Sequence, residues 1–214
     1  MDGIRLPLRH ERRFSRSYHS DEHKIGNEVS RFMDGSASIT ALELKREWPG
    51  WTEEIRSDFC QSSYWLHEQT DFPEMIRFIM EHGDPESWSG IALSVASQLP
   101  RDEAFDTLFR ALRSTELGHG SNISQAIAHT KHPDAEVALG RHLVALWSHP
   151  SLWDDDTFIN WVGFDVTTCI AHLIELGAPP SDFTEQVRQL SEHVCSGNRA
   201  SCRNFLSKHY AWLK

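Results

Sequence analysis

From Ser38 onward, apolar residues return at helical spacing and the alternation of a β-strand is nearly absent, so the pattern predicts an all-α protein. Ser38 begins the first helix and Pro49-Gly50 ends it. Thr52-Glu53-Glu54 opens a second, with Ile55, Phe59 and Leu66 on one stripe. Asp71 caps a third, which holds Pro73 in its first turn, turns Phe72, Met75, Ile76, Ile79 and Met80 inward, and stops at Gly83-Asp84-Pro85. A fourth, from Glu86 to Leu99, packs Trp88, Ile91, Ala92, Val95 and Leu99. Behind Pro100, the positions Ala104, Phe105, Leu108, Phe109 and Leu112 form a clean amphipathic stripe.

The pattern continues after Gly118-His119-Gly120. Ser121 or Asn122 caps a short helix through Ile123, Ala126 and Ile127. Pro133 leads another with Val137, Leu143, Val144 and Trp147 inward, ended by His149-Pro150. Asp154-Asp155-Asp156 precede an apolar stretch from Phe158 to Leu176, with a kink expected at Gly163 and a stop at Gly177-Ala178-Pro179-Pro180. Ser181 opens a helix with Phe183, Val187, Leu190 and Val194 inward, and Gly197-Asn198 punctuate before a last helix through Phe205, Leu206, Tyr210 and Leu213.

Two segments align at an offset of 32 residues: Ile91 with Ile123, Val95 with Ile127, Ala96 with Ala128, and Asp102 with Asp134. A third segment repeats the Ile127-Ala128-His129 triplet at Ile170-Ala171-His172. Each has an apolar helix, a proline-marked break and a second amphipathic helix. A period in the 30s with two helices per unit is the signature of an α-solenoid. The segments resemble HEAT-type repeats over roughly 84–196, extended to 38–214, with His132-Pro133-Asp134-Ala135-Glu136-Val137 as the best instance. Ala138 stands where many HEAT units carry an arginine. The resemblance implies stacked antiparallel helix pairs in a short solenoid. It implies nothing specific about activity.

Charge divides the chain. Residues 1–37 are polar, carry seven Lys/Arg against six Asp/Glu, and read as an N-terminal tail. The remainder holds 14 basic and 25 acidic residues, a net of −11 that repels phosphate backbones and favours basic partners. The tail's Arg5, Arg9, Arg12, Arg13 and Arg16, interleaved with Phe14 and Tyr18, make only a weak basic patch. No apolar stretch approaches 18 residues and the N-terminus lacks the apolar core of a signal peptide, so no membrane partner and a cytoplasmic location with reduced thiols are expected.

Thirteen histidines and four cysteines raise metal chemistry, but their spacing does not support it. His129 and His132 lie one turn apart, yet Pro133 breaks the helix that would hold them on one face. His172 and Glu175 share a similar spacing elsewhere. His67-Glu68 lacks the second histidine of a zincin motif, and His19 and His23 lie in the tail. Cys60, Cys169, Cys195 and Cys202 form no CxxC pair and read as core residues. No metal, cofactor or catalytic residue is therefore expected. Asp154-Asp155-Asp156 read chiefly as a helix N-terminal cap. Of the eight tryptophans, Trp88 and Trp147 read as core, whereas Trp48, Trp51 and Trp153 flank breaks and read as exposed contacts.

The function class expected from these features is a non-enzymatic protein-binding module. The second helices of the pairs expose Asp106, Arg110 and Arg113, then Glu136 and Arg141, then Glu185, Arg188 and Glu192. If these helices line the inner curve, as the resemblance implies, they form a continuous mixed-charge strip with acidic excess that docks a basic protein, with Asp154 and Asp155 added to the binding set. A toxin-neutralising immunity protein or an adaptor has this character. Its rival is a HEAT-like nucleic-acid-binding enzyme such as a DNA glycosylase, for which Trp153 and Asp154 are of the right type. The acidic body argues against that rival and makes nucleic acid an unfavourable partner. A small-ligand repeat protein of the bilin-lyase kind is a second alternative without a sequence signal of its own.

Overall fold

The computed structural model describes residues 39–154, 160–193 and 195–214, apart from the side chains of Tyr64 and Trp65. The N-terminal tail, Asp155, Asp156, Phe158 and Val194 lie outside the described residues. Within them there is no β-strand, and ten α-helices alternate with short 3-10 turns. The fold is all-α. No described helix is long and apolar enough to cross a membrane. Two compact units meet within one helix, the first ending at Ser94 and the second beginning at Val95.

The first unit contains α1 (Ala41–Glu47), α2 (Glu53–Ser62), α3 (Phe72–His82) and most of α4 (Pro85–Gln98). The α1 cap is Thr40, and Ser38 falls outside the described residues. Its hydroxyl accepts the Glu43 N–H at 3.2 Å, and the Glu43 carboxylate accepts the Thr40 N–H at 2.8 Å. This reciprocal box satisfies two otherwise orphaned donors and holds the Glu43 carboxyl below its usual range. Asp71 precedes α3 as expected, yet its side chain does not cap that helix. It accepts the Ala41 N–H at 2.7 Å, which ties α3 to the start of α1. Ile39, Leu44, Ile55, Phe59, Phe72, Met75, Ile76 and Ile79 fill the core.

Trp48 and Trp51 correct the expectation that tryptophans beside a break are exposed. They are 2% and 7% accessible. The 3-10 turn Trp48–Gly50 folds the chain back, so that Trp51 meets Phe59 at 5.2 Å and Trp48 meets Phe78 edge-on at 6.0 Å. Arg56 covers the outer face of Trp48 at 5.4 Å and donates from Nε to its carbonyl. A breaker therefore aims both indoles into the core.

The second unit contains α5 (Arg101–Ser114), α6 (Ser121–Thr130), α7 (Ala135–Trp147), α8 (Trp161–Leu176), α9 (Thr184–Glu192) and α10 (Ser196–Leu206). Helix α6 packs on α5 and α7, α8 packs on α6, α7 and α10, and α9 packs on α10. Helices α6, α8 and α10 thus form one layer. Their N-terminal ends are level, because Gly118 abuts Trp161 and Val162 while Gly163 abuts Asn198. Gly118 is favoured twice over, with φ +99° and a Cβ that would lie only 3.2 Å from the Val162 nitrogen.

Helices α5, α7 and α9 are the alternate members, and ring contacts tie them together. His132, just before α7, stacks on Phe105 near the start of α5. Trp153, just after α7, meets His193 at the end of α9 at 5.5 Å. These contacts bring the starts of α5 and α7 together, and the ends of α7 and α9. Neighbouring helices pack in the two-layer alternation that a helical repeat produces.

Several boundaries differ from the sequence pattern. Gly120 rather than Ser121 or Asn122 stands at the start of α6. Helix α8 begins at Trp161, capped by Asn160, whose Oδ1 accepts the Gly163 N–H at 2.9 Å. Its Nδ2 reaches the carbonyls of Ser151, Leu152 and Asp154. One buried amide thus does the capping expected of the aspartates. Gly163 lies in the first turn of α8, where a Cβ would collide with the Asn198 side chain, so the glycine permits close approach of α8 to α10. Asn198 is buried inside α10 rather than preceding it. In α7 the inward face is Ala135, Ala138, Leu139, Leu143 and Leu146, whereas Val137 and Val144 are 54% and 67% exposed.

Candidate functional site

The charged residues expected to form a strip all lie on exposed positions of the same three helices. Asp106, Arg110 and Arg113 are exposed on α5, Glu136 and Arg141 on α7, and Glu185, Arg188 and Glu192 on α9. Asp154 is exposed in the turn after α7, and Asp155 lies outside the described residues. The contacts of His132 with Phe105 and of Trp153 with His193 link these helices at their ends.

Local contacts order several members. The Arg113 guanidinium lies 5.9 Å from the Phe109 ring, which in turn stacks on Phe105 at 5.8 Å. The order His132, Phe105, Phe109, Arg113 therefore forms a column along α5, with two aromatic faces stiffening an exposed cation. On α9, Glu185 accepts from Arg188 at 3.4 Å and from Gln189 at 3.1 Å. These exposed pairs are worth at most about 1 kcal/mol and serve to set side-chain direction.

The acidic excess is not concentrated here. Among the described residues of the strip, five are acidic and four basic. Residues 38–94 carry 11 acidic residues against four basic, and 95–214 carry 14 against ten. The field that would steer a basic partner is therefore a property of the whole body, while the strip offers both signs.

Apolar groups accompany the charges. Val137 and Val144 project from the outer face of α7, and a Cβ placed at Gly140 between them would meet nothing within 4 Å. Trp153 is 40% exposed and packs edge-on against Trp147 at 5.3 Å. The exposure expected of Trp153 is found. The inward turn expected of Val137 and Val144 is not, and it is their outward turn that makes this surface partly apolar. A second exposed aromatic group, His119, Trp161, Phe164 and Phe205, lies across α8 and α10 at successive centroid distances of 6.4, 6.2 and 5.4 Å.

Beneath the surface lies a polar centre that sequence reasoning missed. Asp165, fully buried in α8, accepts the Gly120 N–H at 3.0 Å and lies 3.6 Å from Nε2 of His142 on α7. Asp165 Oδ1 and His142 Nε2 have no hydrogen-bond partner among the described residues. The signal available was a lone acidic residue within an apolar run, Trp161 to Leu173. A carboxylate this deep is expensive unless paired. Here it joins the start of α6, the middle of α7 and the first turns of α8. With Asp165 fully buried and His142 nearly so, the pair is placed to hold helices rather than to meet a substrate.

The other candidate chemistries are dispersed. His129 is exposed, while His132 is committed to Phe105 and lies 3.7 Å from Asp102. His172 approaches Glu175 at 3.2 Å, and Lys208 joins that carboxylate at 2.8 Å, holding it below its usual range. Among the described residues, no three His, Cys, Asp or Glu side chains gather as metal ligands would. All four cysteines are buried free thiols. Burial pushes the Cys60 and Cys169 thiols far up and the Cys202 thiol up to about 11, which suppresses the nucleophilic thiolate.

No protein-family model, curated protein or solved structure matches this chain.

Proposed function

We propose that this protein is a non-enzymatic binding module of the HEAT-like kind, which docks a basic protein on the outer surface of α5, α7 and α9, as an immunity protein or adaptor would. The observation that carries the reading is the set of exposed charged residues on α5, α7 and α9, which ring contacts link at their ends. The acidic body attracts a basic partner over distances near a Debye length. Mixed charges on the strip then fix its register, because like charges brought together are costly. The twin requirements of long-range attraction and local discrimination are met by different parts of the chain.

The test is recovery of partners from native cells by the full chain and by its Glu185→Lys/Glu192→Lys variant. Both sites are exposed, so the variant should fold normally. The expected result is one stoichiometric basic protein with the wild type and its loss with the variant. Recovery of no protein, or of the same protein equally by both chains, would sink the reading. Retention on immobilised DNA that weakens steeply with salt would instead favour the glycosylase alternative.

A further inference from the structure

We propose that Asp165 and His142 hold one ordered water molecule between them at the N-terminal end of α6. Gly120, Asp165, the water and His142 then form a single hydrogen-bonded chain that runs across α6, α8 and α7. The proposal concerns the interior of the second unit and stands apart from the binding-module reading.

Unmet hydrogen-bonding capacity leads to it. The Asp165 side chain is fully buried, and that of His142 is 8% exposed. Asp165 Oδ2 accepts the Gly120 N–H at 3.0 Å, which leaves Oδ1 without a partner among the described residues. His142 Nε2 has none either. This nitrogen stands 3.6 Å from Asp165 Oδ2, beyond the reach of about 3.2 Å that an N–H···O hydrogen bond allows. A carboxylate oxygen left unmet at this depth is costly. A nitrogen and a carboxylate at such a separation can share one water, and a buried water needs roughly two to four polar partners.

The surroundings favour water over other occupants. A Cβ at Gly120 would lie 2.8 Å from Leu112 Cδ1, 3.2 Å from Asp165 Oδ2 and 3.3 Å from His142 Nε2. Gly120 has a φ of −94°, which suits any residue, so the glycine answers to crowding rather than to backbone conformation. The pair and an apolar side chain thus close over the start of α6 and leave little room for a larger ligand. An anion would face the Asp165 carboxylate, on which the positive end of α6 is already turned. A metal ion lacks ligands, because among the described residues no three His, Cys, Asp or Glu side chains gather to hold one. Water can donate to Oδ1 and can meet Nε2 in either tautomer, by donating or accepting.

Through the water, His142 is a positioning residue for Asp165. Each carboxylate oxygen then has a donor, Gly120 at Oδ2 and the water at Oδ1, and the two together fix the plane of the group. That plane aims Oδ2 at the Gly120 N–H and so orients the first turn of α6.

The test is a crystal structure of the full chain at a resolution that shows ordered water, joined to native-state hydrogen exchange. One water should lie within hydrogen-bond distance of both Asp165 Oδ1 and His142 Nε2. His142→Phe keeps a ring of similar size and removes the nitrogen. It should speed exchange of the Gly120 amide about tenfold, by loosening the carboxylate that accepts it. His142→Gln, which returns a polar group, should recover much of that protection. A packing role alone predicts the opposite order, with Phe protecting better than Gln. Direct contact of Nε2 with either oxygen within about 3.2 Å, or a site without water, overturns the proposal. So does unchanged Gly120 exchange in His142→Phe, or protection by Phe that equals or exceeds that by Gln. Should His142→Phe fail to fold, the wild-type structure alone decides.

Discussion

The imidazole of His132 lies flat on the ring of Phe105, with centroids 4.0 Å apart and planes within 8°. Its Nδ1 also accepts the Asp134 N–H at 3.1 Å, so one side chain shapes the turn into α7 and fastens that turn to α5. Replacing it with alanine removes both. His132→Ala should cost about 1–2 kcal/mol, the sum of an aromatic pair and a turn hydrogen bond. His132→Phe should recover the stacking part alone. Thermal unfolding followed by circular dichroism measures the series, and equal midpoints for wild type and His132→Ala would refute the assignment.

Gly163 and Asn198 form a matched pair across α8 and α10. Gly163→Ala should destabilise by about 1–3 kcal/mol, the range expected when a methyl is forced into a filled space. Asn198→Ala should relieve the collision, so the double variant should be more stable than the two single losses predict. A double-mutant cycle in urea reads this as a coupling energy of favourable sign. Strict additivity would show that the close approach is not the constraint.

Glu175 receives Lys208 from beyond α10 and His172 from its own helix. Its folded pKa is lowered, chiefly by the Lys208 hydrogen bond. The stability it contributes is therefore present above the unfolded carboxylate value of about 4.3 and is lost as pH falls through the lower folded value. Glu175→Gln should be slightly less stable than wild type at neutral pH, with the two converging in acid. The difference should also shrink in high salt, because the pair is largely exposed. A constant difference from neutral pH to acid would refute the assignment.

Burial of the cysteines predicts slow chemistry in the native state. At pH 8, Ellman's reagent should react with the folded chain only at the rate of its unfolding, and with all four thiols at once in guanidinium. Rapid modification of one thiol in the folded protein would mean that its helix opens locally.

The sequence carried most of the helices because caps and breakers act locally. Thr52, Pro73 and Pro100 mark starts that the structure retains, while Pro85, expected to end one helix, opens the next. It carried less about which face of α7 turns inward, since two apolar stripes run along that helix. Ala138 and Leu146 bury, while the β-branched Val137 and Val144 do not, and no periodicity chooses between them. Tertiary caps were beyond local reading as well: Asp71 serves α1, and Asp165 serves the start of α6. The charged positions of α5, α7 and α9 were legible as an amphipathic outer face. The links between these helices, His132 meeting Phe105 and Trp153 meeting His193, are contacts that no spacing announces.

Asp165 has a consequence for how the second unit comes apart. In an array whose units touch only their neighbours, fraying can travel inward one unit at a time, as in a linear chain of weakly coupled links. A single carboxylate shared among α6, α7 and α8 merges three links into one. Loss of any one of the three removes a partner from a buried polar side chain, which raises the free energy of every partly opened state. Amide hydrogens of these helices should therefore exchange together, through one opening event, while those of α9 exchange ahead of them.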